Sequence, residues 1–370
     1  MKFAIITHVQ HIKSDNQYFG YAPYIREMNI WLKYVDEVII IAPLVDKELN
    51  PIHEKYNHSS VDFRQVEEFE ITSIANVFKT IARLPKIVSQ VYKAMSQADH
   101  IHLRCPGNMG LIGAMVQILF PKKPKTAKYA GNWDPNAKQP FTYKLQRWIL
   151  SNTFLTKNMQ VLVYGDWENQ TKNIKPFFTA TYSESDKKVI QSRVLEEYID
   201  FLFVGTLSKG KQPLFAIQLV EKLYQQGKKV RLNLYGDGIL RPTLETYIKE
   251  NNLQDIVFLR GNQSKETVLN TYQTSHFLIL PSKSEGWPKV IAEAMFWGCV
   301  PIVSKVSCVP YMLGHGERGI QLEEQSQTDV NQVINLLNNQ LLYQKMASEG
   351  QNWSRQFTTD KFEEEIKKLL

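Results

Sequence analysis

The chain of 370 residues is 43% hydrophobic and 22% charged, enough for two domains that each bury a core, and this composition excludes a disordered chain. No apolar run approaches the roughly 18 to 20 residues that cross a bilayer, and the start, MKFAIITHVQHIKSD, turns polar too early for a signal-peptide core, so a cytoplasmic protein is expected. The net charge of +7 is local: residues 101–150 hold Arg104, Lys122, Lys123, Lys125, Lys128, Lys138, Lys144 and Arg147 against the single acid Asp134. Such a block reads either as a solvated face or as a site for an anionic partner, a membrane surface ahead of nucleic acid, for which no recognition motif is present. Cys105, Cys299 and Cys308 lack metal-ligand spacing and read as buried thiols in a reducing compartment.

In chain order, apolar runs at 2–8, 37–43, 100–104, 127–131 and 160–165 read as strands, with helical periods near 22–34, 74–96, 107–119 and 140–153. After residue 200 the alternation becomes regular. Strands are expected at 201–205, 230–236, 256–261, 277–281 and 300–304, with amphipathic segments between them, and Gly227 is placed as the cap of the helix starting near Pro213. DKFEEEIKKLL at the end is an amphipathic helix with no strand to follow it. The pattern is α/β: two Rossmann-like domains facing across a cleft, 1–195 and 196–355, with helix 356–370 expected to return to the first.

Chemistry in open parallel sheets gathers in the loops after the strands. The densest such loop is PSKSEGWPKVIAEAMFWG, from Pro281 to Gly298. Pro288 suits a helix start, whose unpaired N–H groups and positive dipole end attract a diphosphate. Glu285 lies in the loop before that start. Glu293 falls off the apolar stripe of Val290, Ile291, Ala294 and Met295, which leaves it free to accept hydrogen bonds from vicinal hydroxyls such as those of a ribose.

This segment resembles the E-x7-E signature of retaining GT-B glycosyltransferases, the glycosyltransferase family 4 group, at Pro281, Ser282, Glu285, Gly286, Pro288, Glu293, Ala294, Met295, Gly298 and Pro301. The resemblance implies transfer of a hexose-type sugar from a UDP-sugar or GDP-sugar to a hydroxyl, with retention, in surface polysaccharide or glycolipid assembly. It implies that Glu285, Gly286, Trp287 and Pro288 meet the donor sugar and diphosphate and that Glu293 meets the ribose. VGTLSKGKQP, from Val204 to Pro213, resembles the family's diphosphate loop: Lys211 aligns with its lysine and Gly205 with its turn, while Thr206 stands where the family has arginine and Lys209 is the substitute cation. Gly236 in YGDG and Arg260 before Gly261 match the family's nucleotide-side turns.

Acceptor candidates are fewer. The loop from His8 to Pro23 has one glycine, Gly20, beside Tyr18, where relatives carry Gly-Gly; Tyr18 and its neighbours serve a sugar or pack in the domain. KYAGNWD, from Lys128 to Asp134, lacks the histidine that relatives often place there. Asp134 is the candidate to orient or deprotonate the acceptor, against a turn role for this segment, and Trp133 and Arg104 are candidate sugar contacts. Without a DxD sequence, metal-independent transfer without a cofactor is expected, at most peripheral to the inner face of the cell membrane. A non-catalytic GT-B scaffold and a sugar-nucleotide epimerase are the competing readings.

Overall fold

The computed structural model describes residues 1–50, 52–67, 74–195, 198–323 and 326–370. They form two compact units, Met1–Phe178 with Phe362–Leu370, and Thr179–Lys361. The division falls after Phe178, earlier than the expected 195/196; Glu196, Glu197 and part of the expected 74–96 helix's surroundings lie outside the described residues. The reason is that the segment after Phe178 is fastened to the second unit. Arg193 donates to the carbonyls of Tyr272, Gln273, Trp297 and Gly298 at 2.6–2.9 Å, and Thr181 bonds Glu293.

In the first unit the strands are β1 (Lys2–Ile6), β2 (His11–Ser14), β3 (Gln17–Tyr21), β4 (Glu37–Pro43), β5 (His53–Lys55), β6 (Val61–Val66), β7 (His100–Cys105), β8 (Lys125–Tyr129), β9 (Met159–Tyr164) and β10 (Ile174–Phe177). Seven of them make one parallel sheet ordered β10-β9-β8-β7-β1-β4-β6, and β2, β3 and β5 make a small antiparallel sheet. The central strands are continuous apolar runs because helices cover both faces: Phe3, Ala4, Ile5 and Ile6 are all buried, as are Val38 to Ala42. VDFRQV and IKPF were missed in the sequence because β6 and β10 are edge strands, half polar in one case and carrying Pro176 in the other.

Helix Thr359–Lys367 closes the first unit. Its Phe362 packs edge-on against Phe177 and Phe178 with ring centroids 5.4 and 5.8 Å away, and Lys33 pairs with Glu363 at 2.7 Å.

The second unit contains β11 (Ile199–Val204), β12 (Val230–Tyr235), β13 (Val257–Gly261), β14 (Phe277–Leu280), β15 (Val300–Ser304) and β16 (Ile320–Leu322), all parallel in the order β13-β12-β11-β14-β15-β16. Helix Pro213–Gln225 starts on its proline and buries Ala216, Ile217, Val220 and Leu223. It ends where Gly227, at φ +77°, turns its N–H to the Tyr224 carbonyl at 2.8 Å.

In both sheets the strand order reverses once, between β1 and β7 in the first unit and between β11 and β14 in the second. Parallel strands on either side of such a reversal send their connections in opposite directions, so a crevice opens beyond their carboxyl ends.

Candidate functional site

In the second unit two loops meet at the reversal. The loop after β11 runs from Gly205 to Gln212, and the loop after β14 runs from Pro281 to Pro288. They are tied by three interactions: Lys283 N–H to the Gly210 carbonyl at 2.9 Å, Gln212 Nε2 to the Pro281 carbonyl at 2.6 Å, and an ion pair between Lys211 Nζ and Glu285 Oε1. The Glu285 side chain is 9% exposed and that of Lys211 30%, so the ammonium keeps the solvent-facing side of the pair. Gln212 sits at φ +52°, which brings its side chain back onto Pro281; nothing in the sequence marked it.

A third loop, after β12, presses against the first. The Gly205 N–H donates to the Tyr235 carbonyl at 2.9 Å, and the Gly236 N–H to the Gly261 carbonyl at 2.9 Å. Gly236 has φ +132°, and a Cβ there would drive into the Gly205 carbonyl oxygen. Glycine is therefore required where two loop backbones cross.

Helix Lys289–Phe296 follows Pro288, with Ile291, Ala294, Met295 and Phe296 buried. Glu293 is not free, as the sequence suggested. Its Oε1 accepts from Thr181 Oγ1 at 2.7 Å and its Oε2 from the Tyr272 hydroxyl at 3.0 Å. Tyr272 is fully buried, and its pKa is raised well above the ordinary value by burial first and by the Glu293 charge second, so the hydroxyl stays a donor. Thr181 and Tyr272 lie far from Glu293 in sequence, and only folding reveals them as its holders.

The other donor candidates separate. Trp287 is buried and stacks 6.0 Å from Trp353, with Phe357 edge-on at 5.6 Å, so its indole anchors the loop to the core; what it can offer a sugar is backbone. The Gly286 carbonyl accepts from Cys308 Sγ at 2.9 Å. Thr206 and Lys209 are exposed on the first loop. Arg260 sits on the edge strand β13, separated from β11 by β12, with its Nε on Asn233 Oδ1 at 2.8 Å and its guanidinium over Phe258. It is not brought to the Lys211–Glu285 pair.

Residues 184–353, which hold all of these loops, match the family described as Glycosyl transferases group 1. The segment is similar to the domain of that family, and the match covers less than half of the chain. An uncharacterized glycosyltransferase of Methanocaldococcus jannaschii is 26% identical to the chain over 191 residues, 51% of this chain and 52% of that protein. The chain thus spans about half the length of the curated relatives it matches. Among solved structures, HepE of Anabaena in complex with UDP has a TM-score of 0.70 at 15% identity, covering 99% of this chain and 98% of its own. Sucrose-phosphate synthase of Thermosynechococcus elongatus has a TM-score of 0.67 at 18% identity, covering 100% and 98%. The chain has the GT-B glycosyltransferase fold.

Outside the matched segment, the reversal of the first unit brings His8, just after β1, beside Arg104, at the end of β7. A Cβ at Gly107 would come within 2.8 Å of His8 Nδ1, which places the ring against this backbone. Although part of the ring is exposed, its contact with this backbone desolvates it and, with the Arg104 charge second, lowers the His8 pKa. Arg104 Nη1 is 3.6 Å from Glu27 Oε1, and its guanidinium lies 5.3 Å from the Tyr24 ring centroid. His8 escaped notice because it reads as the polar end of a strand.

The remaining acceptor candidates are structural in position. Trp133 is 1% exposed, edge-on to Tyr129 at 4.8 Å, with Nε1 on Gln170 Oε1 at 3.0 Å, so it is a core residue and not a surface for sugar. Asp134 closes a turn, accepting the Asn136 N–H at 2.8 Å, while Arg147 holds its carbonyl at 2.8 Å. Gly20 is buried in β3, where a Cβ would meet Ile25 at 3.0 Å. Tyr18 stacks on Phe63 with centroids 4.3 Å apart.

The basic block is also largely internal. Lys123 caps the end of helix Ile74–Gln97, donating to the Met95 and Ser96 carbonyls at 2.9 and 2.7 Å. Lys125 reaches the Phe120 carbonyl at 2.7 Å and Lys128 the Phe178 carbonyl at 2.8 Å. Burial lowers the Lys125 pKa to about 8. Lys122, Lys138 and Lys144 remain exposed. No group of His, Cys, Asp and Glu fit to hold a metal occurs among the described residues, and none of their helices is long and apolar enough to cross a membrane.

Proposed function

We propose that the protein transfers a sugar from a nucleoside diphosphate donor, a UDP-sugar or GDP-sugar, to a hydroxyl of a glycan or lipid-linked acceptor in surface polysaccharide or glycolipid assembly. The observation that carries this reading is the Lys211–Glu285 pair at the strand reversal of the segment that matches the group 1 glycosyltransferases. On donor binding the diphosphate takes over the Lys211 ammonium, assisted by Lys209 and the start of helix Lys289–Phe296, and Glu285 turns to the sugar. As the glycosidic bond breaks, negative charge grows on the departing diphosphate, and Lys211 stabilises it without a metal ion.

Glu293, oriented by Thr181 and Tyr272, keeps acceptor capacity on its oxygens for the ribose hydroxyls. Thr206, in place of arginine, leaves the diphosphate one cation fewer. The reading includes retention at the anomeric carbon and membership of glycosyltransferase family 4, both supported by the spacing of Glu285 and Glu293. The acceptor hydroxyl is placed by Arg104, with His8 beside it as the candidate base.

Calorimetric titration with UDP, GDP and ADP tests the reading, followed by assay of slow donor hydrolysis and the anomeric configuration of any product. Absence of binding by all three nucleotides would sink it.

A further inference from the structure

A groove of about 680 Å3 opens at the amino-terminal ends of β8, β9 and β10, the edge of the first sheet opposite the strand ends just described. Five lysines line it, the exposed Lys122, Lys157, Lys172 and Lys175 and the buried Lys125, and no Asp or Glu side chain is among its lining residues. The exposed ammonium groups, with no acidic side chain among them, repel one another, and the arrangement is relieved by anions.

Helix Phe141–Ser151 runs from the carboxyl-end side of β8 back to the groove at Thr153, and it carries exposed aromatic side chains. On helix Phe141–Ser151 the inward face holds Gln146, Ile149 and Leu150, while the outward stripe at helical spacing is Phe141, Lys144 and Trp148. Phe141 is 77% exposed and Trp148 60%, values expected of a lysine or glutamate on such a stripe. Phe154 follows at 74%, with Lys157 of the groove 5.0 Å from its ring centroid.

Phe154 is not exposed through slackness. Asn152 Oδ1 accepts the N–H groups of Phe154 and Leu155 at 3.0 and 3.1 Å, and Thr156 Oγ1 returns to the Asn152 carbonyl at 2.7 Å. A hydrogen-bonded loop thus holds an aromatic ring out in water.

We propose that this face docks on a bilayer of anionic phospholipid, with Phe141, Trp148 and Phe154 entering the interfacial region and the groove lysines meeting the head-group phosphates. Aromatic rings at headgroup depth flanked by lysines are the side-chain set that a bilayer surface selects. A second copy of the chain is a poor occupant, because it would set lysine against lysine. The surface differs from the basic block of the sequence: Lys123, Lys125 and Lys128 donate to backbone carbonyls, and four of the seven side chains named here, Phe154, Lys157, Lys172 and Lys175, lie beyond residue 150. The inference does not depend on the transferase reading, and its failure would leave the donor loops as described.

The experiment is co-sedimentation of the full chain with vesicles of phosphatidylcholine alone and of phosphatidylcholine with phosphatidylglycerol, at low and high salt. Binding to the anionic vesicles is expected, weakening as salt rises. The triple variant Phe141→Ser, Trp148→Ser, Phe154→Ser and the quadruple variant Lys122→Glu, Lys157→Glu, Lys172→Glu, Lys175→Glu should each bind at least about tenfold more weakly. Because every altered side chain is exposed, both variants should keep the wild-type circular dichroism and UDP affinity. The proposal is overturned if the wild type ignores anionic vesicles at low salt, or if either folded variant binds them like the wild type. Full competition by soluble glycerol phosphate would also overturn it, making the groove a free-phosphate site. So would a concentration-dependent dimer that only the aromatic variant abolishes, with no vesicle binding.

Discussion

The Lys211 ammonium and the Glu285 carboxylate pair across the point where the strand order of the second sheet reverses, joining the loop after β11 to the loop after β14. A cation already held in place by a carboxylate is placed for exchange: a diphosphate can replace the carboxylate on Lys211 without the lysine having to be ordered first. Lys211→Ala is expected to weaken UDP binding by about tenfold or more, the loss of one charge-assisted contact. Glu285→Gln, which frees Lys211 from its partner, should leave UDP affinity equal or higher while turnover falls. Calorimetry with UDP and steady-state kinetics separate the two effects.

Glu293 depends on two hydroxyls. Tyr272→Phe keeps the buried ring and deletes one donor to the carboxylate, for an expected stability loss of roughly 1.5 to 3 kcal/mol, the range for a hydrogen bond to a charged group. If Glu293 binds ribose in this orientation, Tyr272→Phe and Thr181→Ala should also weaken binding of UDP more than that of inorganic diphosphate. Chemical denaturation and competitive titration read these outcomes.

His8 and Arg104 occupy the equivalent reversal in the first sheet. His8→Asn should lower kcat and leave UDP affinity unchanged, since the donor loops belong to the other unit. Equal kcat in wild type and variant would remove His8 from the chemistry.

The first unit should be sensitive to acid. Burial lowers the pKa of His11 and His100 to about 4, and that of His102 well below its ordinary value. From about pH 6.5 down to about pH 4 the unfolded chain binds protons that the native histidines refuse, so stability falls as pH falls through this window. The loss is roughly 3 kcal/mol each for His11 and His100. Urea denaturation between pH 7 and pH 4.5 should show it, and His100→Gln should reduce the slope.

Lys125 carries its charge in a buried position, with its pKa lowered to about 8. Its native form costs stability wherever the unfolded lysine is protonated and the cost fades as pH rises from about 8 toward the ordinary lysine range. Lys125→Met should therefore hold or raise the melting temperature at pH 7. A lowered melting temperature would show that the hydrogen bond to Phe120 outweighs the burial.

Much of the second unit was legible in the chain itself. Strands β14 and β15 are nearly continuous apolar runs buried on both faces, β11 is largely so, and helix Pro213–Gln225 begins on its proline and ends at Gly227. The loops with Lys211 and Glu285 were legible because short-range chemistry is written in short-range spacing. The first unit was harder to read: β6 and β10 are edge strands with polar or proline positions, and β2, β3 and β5 pair in a small sheet that no periodicity marks.

The sequence alone determined which residues must sit in strand-end loops, because alternation of apolar runs and amphipathic helices dictates a parallel α/β sheet whatever lies far away. Tertiary structure decided what those residues touch. It turned Glu293 toward Tyr272 and Thr181, put Trp133 and Trp287 into cores, sent Lys123, Lys125 and Lys128 to backbone carbonyls, and set His8 beside Arg104. Those outcomes depend on strand order and on contacts between residues distant in the chain, and a one-dimensional pattern of charge and hydrophobicity carries neither. The Lys211–Glu285 pair belongs to both accounts: its residues were named by spacing, and the bond between them was made by the reversal of the sheet.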